Sequence, residues 1–178
     1  MSRTLFLDRD GVINVKIDND YVKSWAEFEF RQDFLKVVHP ITHIFDRIII
    51  VTNQKGIGRG LMTEDDLSDI HQKMVTEIKA HGGKIDAIYY CSHKSDDYPN
   101  RKPRIGMAIQ AKHDFPDLRF SHSILIGDSK CDIQLAEQLN IQSVYLNHTQ
   151  PNFKYSTRCK HLSDWSDCLL YLQRFDKH

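Results

Sequence analysis

Short, continuously apolar runs recur along the chain, at residues 4–7, 48–51, 87–91, 123–126 and 143–146. Runs of this length without polar alternation predict strands buried on both faces, as in a parallel sheet. Between them, apolar residues return at helical spacing. The clearest stretch opens at Thr63, a favourable N-cap, with Glu64, Asp65 and Asp66 where they complement the helix dipole. It places Leu67, Ile70, Met74 and Ile78 on one stripe and stops at Gly82-Gly83. Further helices are predicted over 33–45, 105–113, 130–139 and 163–172, with a kink or break at Pro40 inside the first. Alternating strands and helices predict an α/β fold, a Rossmann-like three-layer sandwich with a mostly parallel sheet and right-handed crossovers. There is no repeat, no linker and no long insertion, so residues 1–178 read as a single domain.

Charge and cysteine usage narrow the class. Twenty-four Lys plus Arg balance 24 Asp plus Glu, which disfavours broad electrostatic binding to nucleic acid. No apolar run approaches the ~20 residues needed to cross a bilayer, and the N-terminus enters a strand-like segment at once. The cysteines at 91, 131, 159 and 168 form no CxxC pair and read as reduced thiols. The expectation is a soluble, cytoplasmic protein with no membrane or nucleic-acid partner; its oligomeric state is left open. The ten histidines are scattered; the pair His39 and His43 reads as surface, and Trp25 and Trp165 read as packing residues.

In a parallel sheet the ligand lies beyond the carboxyl ends of the strands, and the polar residues there carry the chemistry. The first run ends in Asp8-Arg9-Asp10-Gly11 and the second in Thr52-Asn53-Gln54, followed by Gly56-Ile57-Gly58-Arg59-Gly60. Arg101-Lys102-Pro103 follows the third, and the fourth ends in Gly127-Asp128-Ser129-Lys130-Cys131-Asp132. Each piece alone also fits a turn or a helix cap; their joint order, each after its own strand, points to a site. Asp8 and Asp10, two residues apart, can project into one crevice. Close carboxylates repel unless a cation lies between them or one is protonated. Asp8, Asp128 and a backbone carbonyl would suit Mg²⁺. A carboxylate can also act as a nucleophile, and Thr52 and Lys102 could then neutralise phosphoryl oxygens.

These segments, with Phe6-Leu7 before Asp8, Val12-Ile13-Asn14 after Gly11, and the Tyr21-Val22, Phe28-Glu29-Phe30, Tyr89-Tyr90-Cys91 and Gly106-Met107 segments, resemble the haloacid-dehalogenase-superfamily phosphatases. Within that superfamily the chain is similar to the D-glycero-D-manno-heptose 1,7-bisphosphate phosphatases and their histidinol-phosphatase relatives, over residues 4–146. The resemblance implies a single phosphatase domain without a large cap, and a Mg²⁺-dependent phosphomonoester hydrolase working through an aspartyl-phosphate. Asp8 would be the nucleophile and Asp10 the general acid and base, with Thr52 and Lys102 on the transferring phosphate. Arg101, with Asn53, Gln54 and Arg59, would recognise the substrate, and Asp8, the Asp10 carbonyl and Asp128 would ligate the metal. The implied substrate is a small phosphorylated sugar, D-glycero-D-manno-heptose 1,7-bisphosphate, losing its 7-phosphate. Alternatives are a histidinol-phosphate or other small-metabolite phosphatase and, outside enzymes, a silent phosphate-binding scaffold. A nucleic-acid 3′-phosphatase shares this type of motif, but the neutral charge weighs against it.

Several positions depart from the family pattern. The usual zinc loop keeps Cys91-Ser92-His93, but Tyr98 and Asn100 stand where its second cysteine pair would be. Two ligands do not make a tetrahedral site, so structural zinc is not expected. Cys159-Lys160-His161 reads as a part-buried thiol beside a surface histidine rather than the missing pair. Ile105 replaces a proline, Ser129 a lysine, and the stretch 15–20 carries two extra residues. All of these bear on substrate choice rather than on phosphoryl transfer.

Overall fold

The apolar runs form strands in the computed structural model, which describes residues 2–175. They are β1 (Thr4–Leu7), β2 (Arg47–Asn53), β3 (Ala87–Cys91), β4 (Ser123–Gly127), β5 (Gln142–Leu146) and β6 (Cys159–Leu162). The sheet runs β3-β2-β1-β4-β5-β6 and every pairing is parallel. In register, Leu5 of β1 lies beside Ile48 of β2 and Ile124 of β4.

Alternation along those strands separates two cores. Leu5, Leu7, Ile48, Ile50, Ile124 and Ile126 face one side, where α1 (Gln32–Ile44), α3 (Glu64–Ala80) and α6 (Trp165–Phe175) cover them. Phe6, Ile49, Val51 and Leu125 face the other, under α4 (Gly106–Asp114) and α5 (Lys130–Gln138). The result is the three-layer sandwich, and each fully buried aliphatic side chain contributes roughly 1.5–3 kcal/mol. A one-turn helix, α2 (Lys55–Gly58), follows β2.

Three expectations need correcting. Helix α1 runs through Pro40 without a break. Its buried face, Phe34, Val37, Val38, Ile41 and Ile44, is held by packing, while the carbonyl that Pro40 leaves unbonded belongs to exposed Lys36. Strand β6 was missed because Cys159-Lys160-His161-Leu162 has no apolar run: as an edge strand it fully buries only Cys159. His161 is half-buried rather than on the surface, with Nε2 2.8 Å from the Asn147 carbonyl.

Trp25 stacks on Phe28 at 5.0 Å, closing the long loop between β1 and α1. Trp165 is fully buried and its indole N–H donates to the Val12 carbonyl at 2.8 Å, tying α6 to that loop. No large cap is inserted among the described residues. The chain builds outward from β1 through β2 to β3, then crosses back to β4 on the other side of β1, so the fold's crevice opens at the carboxyl ends of β1 and β4, where the strand order reverses.

Candidate active site

Beyond β1 the chain turns sharply: Val12, Ile13 and Asn14 all donate backbone N–H groups to the Arg9 carbonyl. Gly11, at φ +85°, allows the turn, and a side chain there would run into the Asp128 carboxylate. The crevice behind this turn has a volume of about 220 Å³ and is lined by Asp8, Asp10, Lys16, Tyr21, Arg101 and Lys102, among others.

Lys102 anchors the arrangement. Its buried ammonium lies 2.9 Å from Asp8 Oδ1 and 2.5 Å from Asp132 Oδ1. Burial alone would lower its pKa, but Asp132 and then Asp8 raise it well above the usual lysine value, so it stays charged. Asn53 fixes the loop that delivers it, accepting from the Lys102 N–H at 3.0 Å and donating to the Lys102 carbonyl at 3.2 Å. Asp132 also caps α5, accepting the Ser129 N–H at 3.1 Å and the Ser129 hydroxyl. Gly127 makes room for it, since a Cβ there would collide with the Asp132 side chain.

The two carboxylates after β1 sit in opposite environments. Asp8 is pushed up to about 7, chiefly by burial, with Lys102 opposing and Asp132, Asp128 and Asp10 reinforcing. For Asp10 burial works in the same direction but is outweighed. The Arg9 charge and hydrogen bonds from Arg9, Asn14 and Gln54 hold its carboxyl below the ordinary value. Arg9 Nη2 donates to Oδ1 at 2.8 Å, Asn14 Nδ2 to Oδ1 at 3.0 Å and Gln54 Nε2 to Oδ2 at 2.9 Å.

Asp8, Asp128 and Asp132 offer carboxylate oxygens within 4.8 Å of one another. Asp128 Oδ1 is buried without a hydrogen-bond partner, and its Oδ2 accepts from Lys16 Nζ at 2.7 Å. An orphaned anionic oxygen in a hard-oxygen set fits a small divalent cation.

The remaining expected residues fall differently. Gln54 is fully buried and donates to Asp10 and to the Thr52 hydroxyl, so it backs the acid rather than facing a ligand. Thr52 is itself buried at the end of β2 and its hydroxyl accepts from Gln54. Arg59 lies outside the crevice lining, its guanidinium 5.7 Å from the centre of the Tyr21 ring. Arg101 lines the crevice and donates through Nε to Asp96 at 2.8 Å, while its buried Nη1 has no partner. Asp96 also meets Lys55, so one exposed carboxylate offsets both Arg101 and Lys55. In the loop after β3 the Tyr98 ring stacks on His93 at 4.4 Å. Sequence reasoning missed Lys16, Asp132 and Arg9; the Ser129-x-x-Asp132 capping pattern was the available signal for the second.

Residues 3–167 match the polynucleotide kinase 3 phosphatase family. The D-glycero-alpha-D-manno-heptose-1,7-bisphosphate 7-phosphatase of Campylobacter jejuni is 38% identical over 145 residues, covering 82% of each chain. Its Mycobacterium bovis counterpart is 37% identical over 136 residues, 76% of this chain and 72% of that one. Among solved structures, the D,D-heptose 1,7-bisphosphate phosphatase of B. bronchiseptica, complexed with magnesium and phosphate, superposes with a TM-score of 0.88. It is 29% identical, over 97% of this chain and 98% of that one. On these identities and this shared fold, the chain belongs to the haloacid-dehalogenase-like phosphatases, within the family that includes the heptose-1,7-bisphosphate 7-phosphatases.

Proposed function

We propose that the chain hydrolyses D-glycero-D-manno-heptose 1,7-bisphosphate, releasing the 7-phosphate through a covalent intermediate on Asp8. The observation that carries this reading is the buried Lys102 bridging Asp8 and Asp132 beside the unpartnered oxygen of Asp128. A silent phosphate-binding scaffold has no need of a buried carboxylate kept beside a fixed cation and separated from a second, independently oriented carboxylate.

In the first step an Asp8 oxygen bonds to phosphorus and the bond from phosphorus to the sugar oxygen breaks, with Asp10 delivering a proton to the leaving oxygen. Asp10 rests ionised; the negative charge of a bound phosphate raises its proton affinity, and a phosphate monoester with a second pKa near ~6 can carry the proton in. In the second step water attacks phosphorus, Asp10 takes the water's proton, and the bond from phosphorus to Asp8 breaks. Lys102 neutralises charge on the transferring group, and Thr52 supports it from the end of β2. Asp8, Asp128 and the Asp10 carbonyl would hold Mg²⁺, which when bound offsets the repulsion between the Asp8 carboxylate and the phosphate. Zinc is not part of this reading: Cys91 and His93 supply two ligands, and Tyr98 packs on the histidine.

Recognition of a second phosphate falls to Arg101 and Lys16, which line the crevice. Residues 1–178 would act as one phosphatase domain in the cytoplasm; among the described residues no helix is long and apolar enough to cross a membrane. A second reading comes from the matched family's description, a 3′-phosphatase of polynucleotides. The deciding measurement is phosphate release from heptose 1,7-bisphosphate, histidinol phosphate and a 3′-phosphorylated oligonucleotide, with Asp8→Asn as control. Preference for the bisphosphate supports the sugar reading, and preference for the oligonucleotide replaces it.

A further inference from the structure

Arg9 stands between the two carboxylates of the β1 turn, yet its side chain is completely buried and lies outside the crevice lining. At one end the guanidinium donates to Asp10 Oδ1, from Nε at 3.3 Å and from Nη2 at 2.8 Å. At the other end Nη1 lies 3.4 Å from Nε2 of His71, a buried residue of α3. The His71 ring packs edge-on against Tyr90 of β3 at 6.1 Å. Burial and the neighbouring Arg9 charge lower the imidazole to about 3, so it is neutral near physiological pH. A guanidinium only donates, so the ring nitrogen facing it must accept, with the ring proton on Nδ1.

We propose that His71 is a positioning residue for the general acid, fixing the far end of Arg9 so that its near end holds Asp10 on the leaving oxygen. The inference rests on the phosphatase reading above. Arg9 has no water-exposed surface, so removing its acceptor leaves a buried N–H unpaired and frees the guanidinium to shift. Asn14 and Gln54 still hold Asp10, so the loss is partial.

The test compares His71→Leu, which keeps bulk without an acceptor, with His71→Gln, whose side-chain oxygen can accept from Arg9. A sugar monophosphate needs a proton on its leaving oxygen; p-nitrophenyl phosphate does not. For His71→Leu, kcat/KM, which reports only the steps up to departure of the leaving group, should fall by roughly ten- to a hundredfold on the sugar phosphate and stay within about threefold on the aryl phosphate. His71→Gln should regain most of the loss. An equal fall on both substrates, no fall on either, or glutamine performing no better than leucine overturns the proposal. Nitrogen-15 spectra of histidine-labelled wild-type protein give a second readout that needs neither turnover nor a variant that folds. They should show His71 neutral at neutral pH with Nε2 unprotonated, and an Nε2–H or a charged ring rejects the idea. Failure of the phosphatase reading would show separately, as unchanged phosphate release by Asp8→Asn.

Discussion

Lys102 Nζ lies 2.5 Å from Asp132 Oδ1, with both side chains shut off from solvent. Asp132 is therefore the partner that lets a lysine stay charged beside Asp8. Removing one member of a buried pair costs about 3–5 kcal/mol when the other charge is left alone, and Asp8 at 2.9 Å keeps part of the Lys102 charge paired, so the lower end applies. Asp132→Ala should lower stability by that order in urea unfolding and abolish phosphate release. Full stability with only activity lost would assign Asp132 to chemistry alone.

The two carboxylates after β1 should separate kinetically. Asp8→Asn removes the attacking oxygen and should remove turnover while the fold survives. Asp10→Asn keeps the hydrogen-bonded shape but has no proton to give, so kcat should fall by roughly 10²–10⁴. The check is a steady-state assay alongside circular dichroism. Near-normal turnover by Asp8→Asn would rule out the covalent route.

The chain order explains what could and could not be read in advance. Parallel strands announce themselves because both faces are buried, as in Ile48–Val51 of β2; β6 at the sheet edge buries one face poorly and carries no such mark. Asp8 and Asp128 stand out in the sequence because each directly follows a strand, and Asp10 because it lies two residues after Asp8. Gln54 too stands at a strand end, but it is 0% exposed and its polar contacts go inward, to Asp10, Thr52 and the Cys91 carbonyl. Lys16 and His71 had no local signal, since their partners Asp128 and Arg9 lie 112 and 62 residues away.

Cation binding should be coupled to proton release. Asp8 is raised to about 7, mainly by burial, and a carboxylate must be ionised to act as a ligand. Below that pH, Mg²⁺ has to expel the proton, so affinity should weaken as pH falls, approaching about tenfold per pH unit. Calorimetric titration with Mg²⁺ in two buffers of different ionisation heat measures the proton count. Binding without proton release near neutrality would contradict the assignment.

Arg101 should act on substrate choice more than on chemistry. It reaches the crevice with a buried, unpartnered Nη1, and a guanidinium is suited to a phosphate at the far end of a sugar. Wild-type protein should show a higher kcat/KM for the bisphosphate than for its monophosphate. Arg101→Ala should narrow that gap more than it lowers the rate on an aryl phosphate. Equal kcat/KM for the two sugars in wild type would leave only a generic phosphatase.

The His71 ring should also make the fold sensitive to mild acid. Folded, it takes a proton only near 3, because of burial and the Arg9 charge, against an ordinary value of 6.5 once the chain is unfolded. Between those values the unfolded chain binds the extra proton, so stability is complete above 6.5 and declines as pH falls. By a pH of ~5 the loss from this one group is about 2 kcal/mol. Asp8 runs the other way over part of the same range, since its folded carboxyl titrates near 7, and the total trend of the wild type therefore does not isolate the histidine. Asp33, held low although burial opposes it, by hydrogen bonds from Arg31 and the Trp165 and Phe34 N–H groups, acts only below its ordinary 3.8. The difference between wild type and His71→Gln cancels both carboxylates. Urea unfolding near neutrality and near pH ~5 should show the variant losing about 2 kcal/mol less than wild type, and equal losses would mean that the ring is not held neutral by the fold.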